Sequence, residues 1–324
     1  MASAPVMVIG GSGFLGSHVC RELAEKNIEV VCFDIQSPDF QLPKSTTRSI
    51  KSVVGDILDP NSLSDCVRDL GVGGIIHTVA FGNEAAARQD PHAAITLNVQ
   101  GTLNVMEAAR RNKIARLVYI STAGVYGKRS DDSPIKEDEA ITWRGSIYHP
   151  SHYMGEILVE MYHQVYGIEC VTLRPLSLYG PTLSSDKDQH LRSKSLFLGG
   201  WIKKAMKGEV AEIQNADTLT DLTYVKDLAT AVYLAYSTPK LRQWVFNVSS
   251  GVLVSYKEIA LTIQKYLPGA KFAFRPGVQD NPLRPNRGPL DISRAKEGFQ
   301  LVPRYSLDSG MKDFIEWCTP IRQK

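Results

Sequence analysis

The sequence predicts an α/β fold: a parallel sheet with helices packed on both faces. Three observations carry that prediction. Short β-branched runs alternate with helical stretches through the first half of the 324 residues, the rhythm of strand–helix–strand crossovers. Those runs are continuously apolar, as strands covered on both faces are. The first of them, "VMVIG" at 6–10, runs directly into a glycine cluster and then a helix.

In chain order, a helix near 14–26 follows that strand and leads to the strand "EVVCFDI" at 29–35. A strand "IKSVVGDI" at 50–57 precedes a helix near 61–69, and "GIIHTVA" at 74–80 precedes a long helix near 91–111. "ARLVYIST" at 115–122 leads to a helix containing "YHPSHYMGE", and "IECVTLRP" at 168–175 closes the series. After Pro175 the rhythm breaks. Residues 181–200 are polar and end in glycines, which predicts a long loop, and such a loop in a compact unit is commonly functional. Helices near 199–207, 225–237, 255–266 and 306–317 follow, with short strands and "WVFNVS" among them. These later segments predict a smaller second α/β unit, some of whose elements return to the first.

Composition excludes several classes. An apolar content of 43% over 324 residues buries enough for two packed units. The net charge is +3 with no basic block, which argues against nucleic acid as a partner. No apolar run reaches the roughly 18 residues that span a bilayer. The start, "MASAPVMVIGG", lacks the charged region and cleavage pattern of a leader and reads as the first strand. Cys20, Cys32, Cys66, Cys170 and Cys318 are scattered, odd in number and without CxxC spacing. They predict reduced thiols in a cytoplasmic protein rather than disulfides or zinc ligands. No His/Cys/Asp/Glu spacing suggests a metal.

"VMVIGGSGFLGSHV" places strand, glycines and helix in immediate succession. Glycines let the backbone approach a pyrophosphate, and the helix N-terminus offers free N–H groups with partial positive charge. Two registers fit: Gly11, Gly13 and Gly16, or Gly10, Gly13 and Gly16. Asp34 ends the second strand, 18 residues beyond Gly16, and no arginine follows it in "DIQSP". A carboxylate there accepts from adenosine ribose hydroxyls and repels a 2′-phosphate. The expected cofactor is therefore NAD rather than NADP.

In "YHPSHYMGE", Tyr148 and His152 are four residues apart, so on a helix both rings lie on one face. With the motifs that surround it, this stretch resembles the extended short-chain dehydrogenase/reductase family, also called the NAD-dependent epimerase/dehydratase family. The register with Gly10, Gly13 and Gly16 is that family's. Further matches follow in order: "GDILD" (55–59), "HTVA" (77–80), "NVQGT" (98–102), "YISTAGVYG" (119–127), "LRPLSLYGP" (173–181), "DLTYVKDLA" (221–229), "FNVSSG" (246–251) and "PRYSLDSGMKDFIEW" (303–317).

The resemblance implies a Rossmann-type, doubly wound NAD domain formed by 1–175 plus about 222–248. A smaller substrate-binding domain would comprise about 176–221 plus 249–324. Phe14 and Leu15 would join the glycines at the cofactor, Asp56 and Ile57 would lie near the adenine, Ala80 would line the cleft, and Asn98 would sit near the middle of the site. Thr122 matches the family's catalytic Ser/Thr and Tyr148 its catalytic tyrosine. Ser151 and Glu156 match the flanking "S-K-x-x-G-E" pattern, with His152 standing where that pattern has lysine. A homodimer is expected by the same analogy.

The histidine changes the chemistry. Free tyrosine titrates near about 10, and the family's lysine is a permanent cation that lowers it. Histidine supplies a charge only when protonated, from an ordinary pKa near about 6.5. His152 therefore either supports a Tyr148 phenolate as a cation or relays its proton. Two positions depart from nucleotide-sugar enzymes, which usually carry asparagine at Ser177 and arginine at Thr220. Their loss removes a strong diphosphate ligand and points to a smaller substrate: a sugar, sugar acid, polyol or hydroxy acid. Lys187, His190, Arg192 and Lys194 in the polar loop, with Arg284 and Arg287, are candidates to meet an anionic group. His149 and Trp143 flank the tyrosine. The expected activity is NAD-dependent hydride transfer at a substrate C–OH or C=O. A nucleotide-sugar 4-epimerase or dehydratase and a catalytically silent NAD-binding regulator are the alternatives.

Overall fold

The computed structural model describes residues 4–40, 42–127, 133–142, 146–184, 197–276 and 288–319. Its first strands and helices are β1 (Val6–Ile9), α1 (Phe14–Glu25), β2 (Val30–Asp34), α2 (Lys44–Thr47), β3 (Ile50–Val54), α3 (Pro60–Asp69) and β4 (Gly74–His77). They continue with α4 (Glu84–Gln89), α5 (Pro91–Ile95), α6 (Thr102–Arg111), β5 (Arg116–Ile120), α7 (Tyr148–Tyr166) and β6 (Glu169–Pro175). A seven-stranded parallel sheet runs in the order Val245–Val248, β6, β5, β4, β1, β2, β3. The fold is Rossmann-like and α/β, as the alternation predicts.

Pleating sends successive β1 side chains to opposite faces. Val6 and Val8 belong to a core with Val19 and Leu23 of α1 and Leu228 and Val232 of the helix Val225–Ser237. Met7 and Ile9 belong to a second core with Leu63 of α3, Met106 of α6 and Val159 of α7. Strand β1 pairs β2 on one side and β4 on the other. The chain order reverses there, opening a crevice at the strands' carboxyl ends where such sheets bind ligands. A separate core gathers Leu198, Ile202, Ile213, Ile259, Ile263, Met311 and Phe314.

Three details differ from the sequence expectation. The helix expected at 91–111 is broken: α4 precedes it, Asp90 caps α5 by accepting from the Ala93 N–H (2.9 Å), and Thr96–Gly101 winds as a π-helical turn before α6. Strand β3 is not apolar on both faces, because it is the sheet edge and exposes Lys51 and Ser52. A helix at Ser293–Phe299 was not foreseen. Of the loop expected at 181–200, residues 185–196 lie outside the described ones, and a helix begins at Phe197.

Candidate active site

A cavity of about 640 Å³ lies at this crevice, within the range of small-molecule sites. Gly10, Gly13, Phe14, Leu15 and Asp34 line one end; Asp56, Ile57 and Ala80 line its side. Thr122, Tyr148, His152 and Ser177 line the other end. Gly16 lies one turn inside α1, and Asn98 is buried behind the wall. The sequence separates these residues by up to 167 positions, and the sheet brings them together.

The glycine turn is built for close approach. A Cβ on Gly16 would lie 2.0 Å from the Gly10 carbonyl oxygen, so the turn between them closes only on hydrogen. Gly10 has φ +83°, and a Cβ there would meet Thr78 Oγ1 at 2.7 Å. Gly13 caps α1 without any side-chain hydrogen bond, which leaves the first N–H groups of the helix for a ligand. Asp34 Oδ2 accepts from the Ser12 N–H (3.0 Å) and Oδ1 from the Gln36 N–H (3.3 Å). Each carboxylate oxygen keeps lone-pair capacity for a hydroxyl donor. Helix terminus, bare glycines and acidic strand end together fit a dinucleotide with an unphosphorylated ribose.

At the other end, Thr122 precedes a 3₁₀ turn at Ala123–Tyr126, and its Oγ1 accepts from the Gly124 N–H (3.0 Å). Tyr148 opens α7, and its ring stands 4.8 Å from that of His152, edge to face. Burial pushes the Tyr148 phenol up to about 12, and the Glu84 carboxylate adds to the shift. Burial lowers His152 to about 4, so its imidazole is neutral near neutral pH. Among the described residues neither buried His152 ring nitrogen has a hydrogen-bond partner, and buried polar groups are ordinarily matched by protein, ligand or water. Asn98 is fixed by the π turn: its Oδ1 accepts from the Phe81 N–H (2.6 Å), and its Nδ2 donates to Ser151 Oγ (2.8 Å). Ser151 in turn donates to the Tyr148 carbonyl (2.8 Å).

Sequence reasoning missed the polar network beneath this helix. Glu156 of α7 and Arg174 of β6 form a buried ion pair at 2.6 Å, with side chains 6% and 5% exposed. Ser121 Oγ donates to Glu156, and Arg174 Nη1 donates to the Tyr126 hydroxyl (2.8 Å). That hydroxyl donates to Asn247 Oδ1 (2.7 Å) in the sheet's edge strand. The signal was present: an arginine inside an apolar strand must be paired if it is buried. The network ties α7, which carries Tyr148 and His152, to the sheet.

Ser177 and Thr220 come together, with their hydroxyls 3.2 Å apart. Ser177 adopts φ +46°. Trp143, Lys187, His190, Arg192, Lys194, Arg284 and Arg287 lie outside the described residues. His77, at the end of β4, is buried and bonded to Thr102, while His149 packs against the open side of Gly124. Among the described residues no cluster of His, Cys, Asp and Glu could hold a metal ion, and no helix is long and apolar enough to cross a membrane.

Comparison with known proteins agrees with this geometry. The model of the family described as "NAD dependent epimerase/dehydratase family" matches residues 6–249. A putative UDP-glucose 4-epimerase of Methanocaldococcus jannaschii is 28% identical, over 96% of this chain and 97% of that protein. A UDP-N-acetyl-alpha-D-glucosaminuronate decarboxylase of Bacillus cytotoxicus is 26% identical, over 96% of each chain. The structure of MoeE5 in complex with UDP-glucuronic acid and NAD superposes with a TM-score of 0.81, at 26% identity over 97% of this chain and 98% of the other.

Proposed function

The chain belongs to the NAD-dependent epimerase/dehydratase family, and from that premise we propose that it oxidises, or oxidises and then re-reduces, a carbinol of a sugar or sugar acid, with Tyr148, Thr122 and His152 as its catalytic residues. The observation that carries this reading is the shared cavity, which joins the glycine turn and Asp34 to Thr122, Tyr148 and His152. Bound NAD supplies the two-electron acceptor for the carbinol carbon. Gly10, Gly13, Gly16 and the α1 N-terminus hold its pyrophosphate, with Phe14 and Leu15 beside it. Asp34 takes the ribose hydroxyls, Asp56 and Ile57 flank the adenine, and Ala80 and Asn98 shape the middle of the cleft.

Thr122 Oγ1 already accepts from Gly124, so its own O–H donates to the substrate oxygen. Tyr148 exchanges the carbinol proton. With Tyr148 at about 12 and His152 at about 4, a resting phenolate–imidazolium pair lies about 8 units uphill, roughly 11 kcal/mol, of which the pair's own attraction returns only about 3 kcal/mol. His152 therefore acts as the neutral acceptor behind Tyr148 rather than as a standing cation. Its lone pair takes the phenolic proton as the phenol takes that of the substrate, and the reverse step returns it.

At the substrate end, Ser177 lines the cavity with a hydroxyl bonded to that of Thr220, and neither residue carries a charge, which favours a sugar or sugar acid over a diphosphate there. A nucleotide-sugar substrate is the second reading, favoured by the UDP-sugar relatives. Arg192, Arg284 and Arg287 are the candidates to meet an acidic group in either case. The test is calorimetry with NAD, then turnover on free sugars, sugar acids, UDP-glucose and UDP-glucuronic acid. Absorbance of reduced nicotinamide and NMR of the products are the readouts. Tight NAD binding with no product from any of these compounds would defeat the reading.

The division of the chain into an NAD unit (1–175 plus about 222–248) and a substrate unit (about 176–221 plus 249–324) belongs to the same proposal. So does a homodimer. Met154, Ile157, Met161 and Val165 form an outward stripe on α7, 39%, 49%, 42% and 65% exposed, at the spacing of one helix face. Cys20, Cys32, Cys66 and Cys170 are free thiols, which suits the cytoplasm.

A further inference from the structure

His18 reaches across 163 positions of sequence: its Nε2 lies 2.8 Å from the Pro181 carbonyl oxygen. The residue is 2% exposed. A carbonyl oxygen only accepts, so Nε2 carries the hydrogen and donates it. His18 stands one helical turn beyond Phe14, and the two rings meet edge to face at 6.2 Å. Phe14 lines the cavity, and so does Leu178, three residues before Pro181. One hydrogen bond thus joins the start of α1 to the segment that leaves β6.

A second tie runs in parallel. Phe40 and Ser184 form an isolated antiparallel bridge. Phe40 comes six residues after Asp34, at the end of β2, and Ser184 nine after Pro175, at the end of β6. In the sheet, β1, β4 and β5 lie between β2 and β6. The path from Asp34 through the bridge to Pro175 therefore spans the carboxyl ends of three strands, where the cavity lies. The bond from His18 sets that path on the α1 side. Leu178 and Phe40 pack on the core that holds Leu15 and Val19 of α1, whereas Tyr179 belongs to the separate core of the later segments, the alternation of an extended chain. His18, Phe40, Pro181 and Ser184 do not themselves line the cavity; both ties are made behind its wall.

We propose that His18 is the latch of a strap, residues 177–184, that closes the α1 side of the cofactor cleft and has to lift before NAD enters or leaves. The latch is made behind the wall, so it is the same with the cleft filled or empty. Breaking it favours the lifted state equally in both, which speeds entry and exit by one factor and leaves the affinity unchanged. His18 is on this account a positioning residue. Its role rests on NAD occupying this cleft and not on the parts played by Tyr148, Thr122 and His152.

Two variants isolate the bond. In His18→Gln the side-chain amide nitrogen reaches the Nε2 position and donates to Pro181; in His18→Asn it stops at the Nδ1 position and the bond is lost. Protein loaded with NADH and chased with excess NAD gives the exit rate from the fall in nicotinamide fluorescence. Expected is an exit about fivefold faster in His18→Asn, the worth of one neutral hydrogen bond, and near the wild type in His18→Gln. Entry of NADH, followed by stopped flow, quickens by the same factor, while the Kd for NAD from calorimetry does not move. An unchanged exit rate in His18→Asn, or equal changes in both variants, would overturn the latch. A raised Kd with unchanged entry would mean a damaged cofactor site and would overturn it too. Hydrogen exchange of the 177–184 peptides in unliganded protein needs no cofactor: it quickens in His18→Asn alone, and no change there sinks the proposal even where NAD binds well. Failure of the wild type to take up NAD would defeat the cofactor reading, and the gating with it. Should neither variant fold, wild-type entry still decides: its rate levels off as NADH is raised, because the strap lifts first, and a rate that stays linear overturns the gate.

Discussion

Replacing His152 by lysine turns a neutral neighbour of Tyr148 into a cation. The two rings stand 4.8 Å apart. A unit charge about 5 Å from a phenolate, at an effective dielectric of about 20, is worth about 3.3 kcal/mol. That equals about 2.4 pKa units, in the direction that favours the anion. Tyr148 begins at about 12, so in His152→Lys it is expected to titrate near about 9.5. Lysine starts near about 10.4 and remains charged at neutral pH even after losing about two units to burial. The assay is ultraviolet difference spectroscopy of tyrosinate against pH in the unliganded protein. Thirteen tyrosines contribute, so the same titration with Tyr148→Phe in each background isolates the residue. Where turnover is measurable, the basic rise of the rate profile moves to lower pH by the same amount. A Tyr148 titration unchanged by the lysine would mean that position 152 does not act on the phenol, and the assignment of His152 would fall.

Other expectations rest on separate contacts. Tyr148→Phe should lower turnover by about 10²–10⁴ while leaving NAD affinity, read by calorimetry, near the wild-type value. Gly16→Ala drives a methyl into the Gly10 carbonyl, 2.0 Å away; about 1–3 kcal/mol of stability is expected to be lost, with weaker NAD binding, both visible in thermal melts run with and without the cofactor. Glu156→Gln strands the buried Arg174 charge and should cost about 3–5 kcal/mol in urea unfolding; a loss below 1 kcal/mol would leave the ion pair without a structural role. His77 and His152 have folded pKa values depressed to about 3 and about 4. Their contribution is whole above the unfolded value of about 6.5 and is lost as pH falls toward the folded values, by up to about 1.4 kcal/mol per pH unit for each group. Stability measured at pH 7 and pH 5 should therefore differ less in His152→Phe than in the wild type, and an equal difference would contradict a neutral buried His152.

The sheet was legible because its signals are local. Most strands up to residue 175 are apolar runs, β3 being the exception, and the β1 glycines mark the turn that follows β1. Where reasoning failed, the deciding contact is distant. Nothing within 91–111 announces a π turn; it is set by Asn98 reaching Phe81 and Ser151. The exposure of β3 depends on its place at the sheet edge, which no single strand encodes. At the site, residue types were readable from motifs, whereas the protonation of His152 was not. That depends on its burial in the folded chain and on the lack of a hydrogen-bond partner for its ring among the described residues.

The strand Val245–Val248 closes one border of the sheet by pairing with β6, although some seventy residues of chain separate the two. A nascent chain leaving the ribosome thus completes β6 long before its neighbour exists. Until then β6 is an open border with unpaired amides, the kind of surface that invites pairing with a foreign strand. Arg174 lies on this border, and the Asn247 that completes its network has yet to emerge. The first half of the molecule is accordingly no self-sufficient folding unit, and a chain cut at residue 175 would carry a sticky flank and a buried charge network missing its last member.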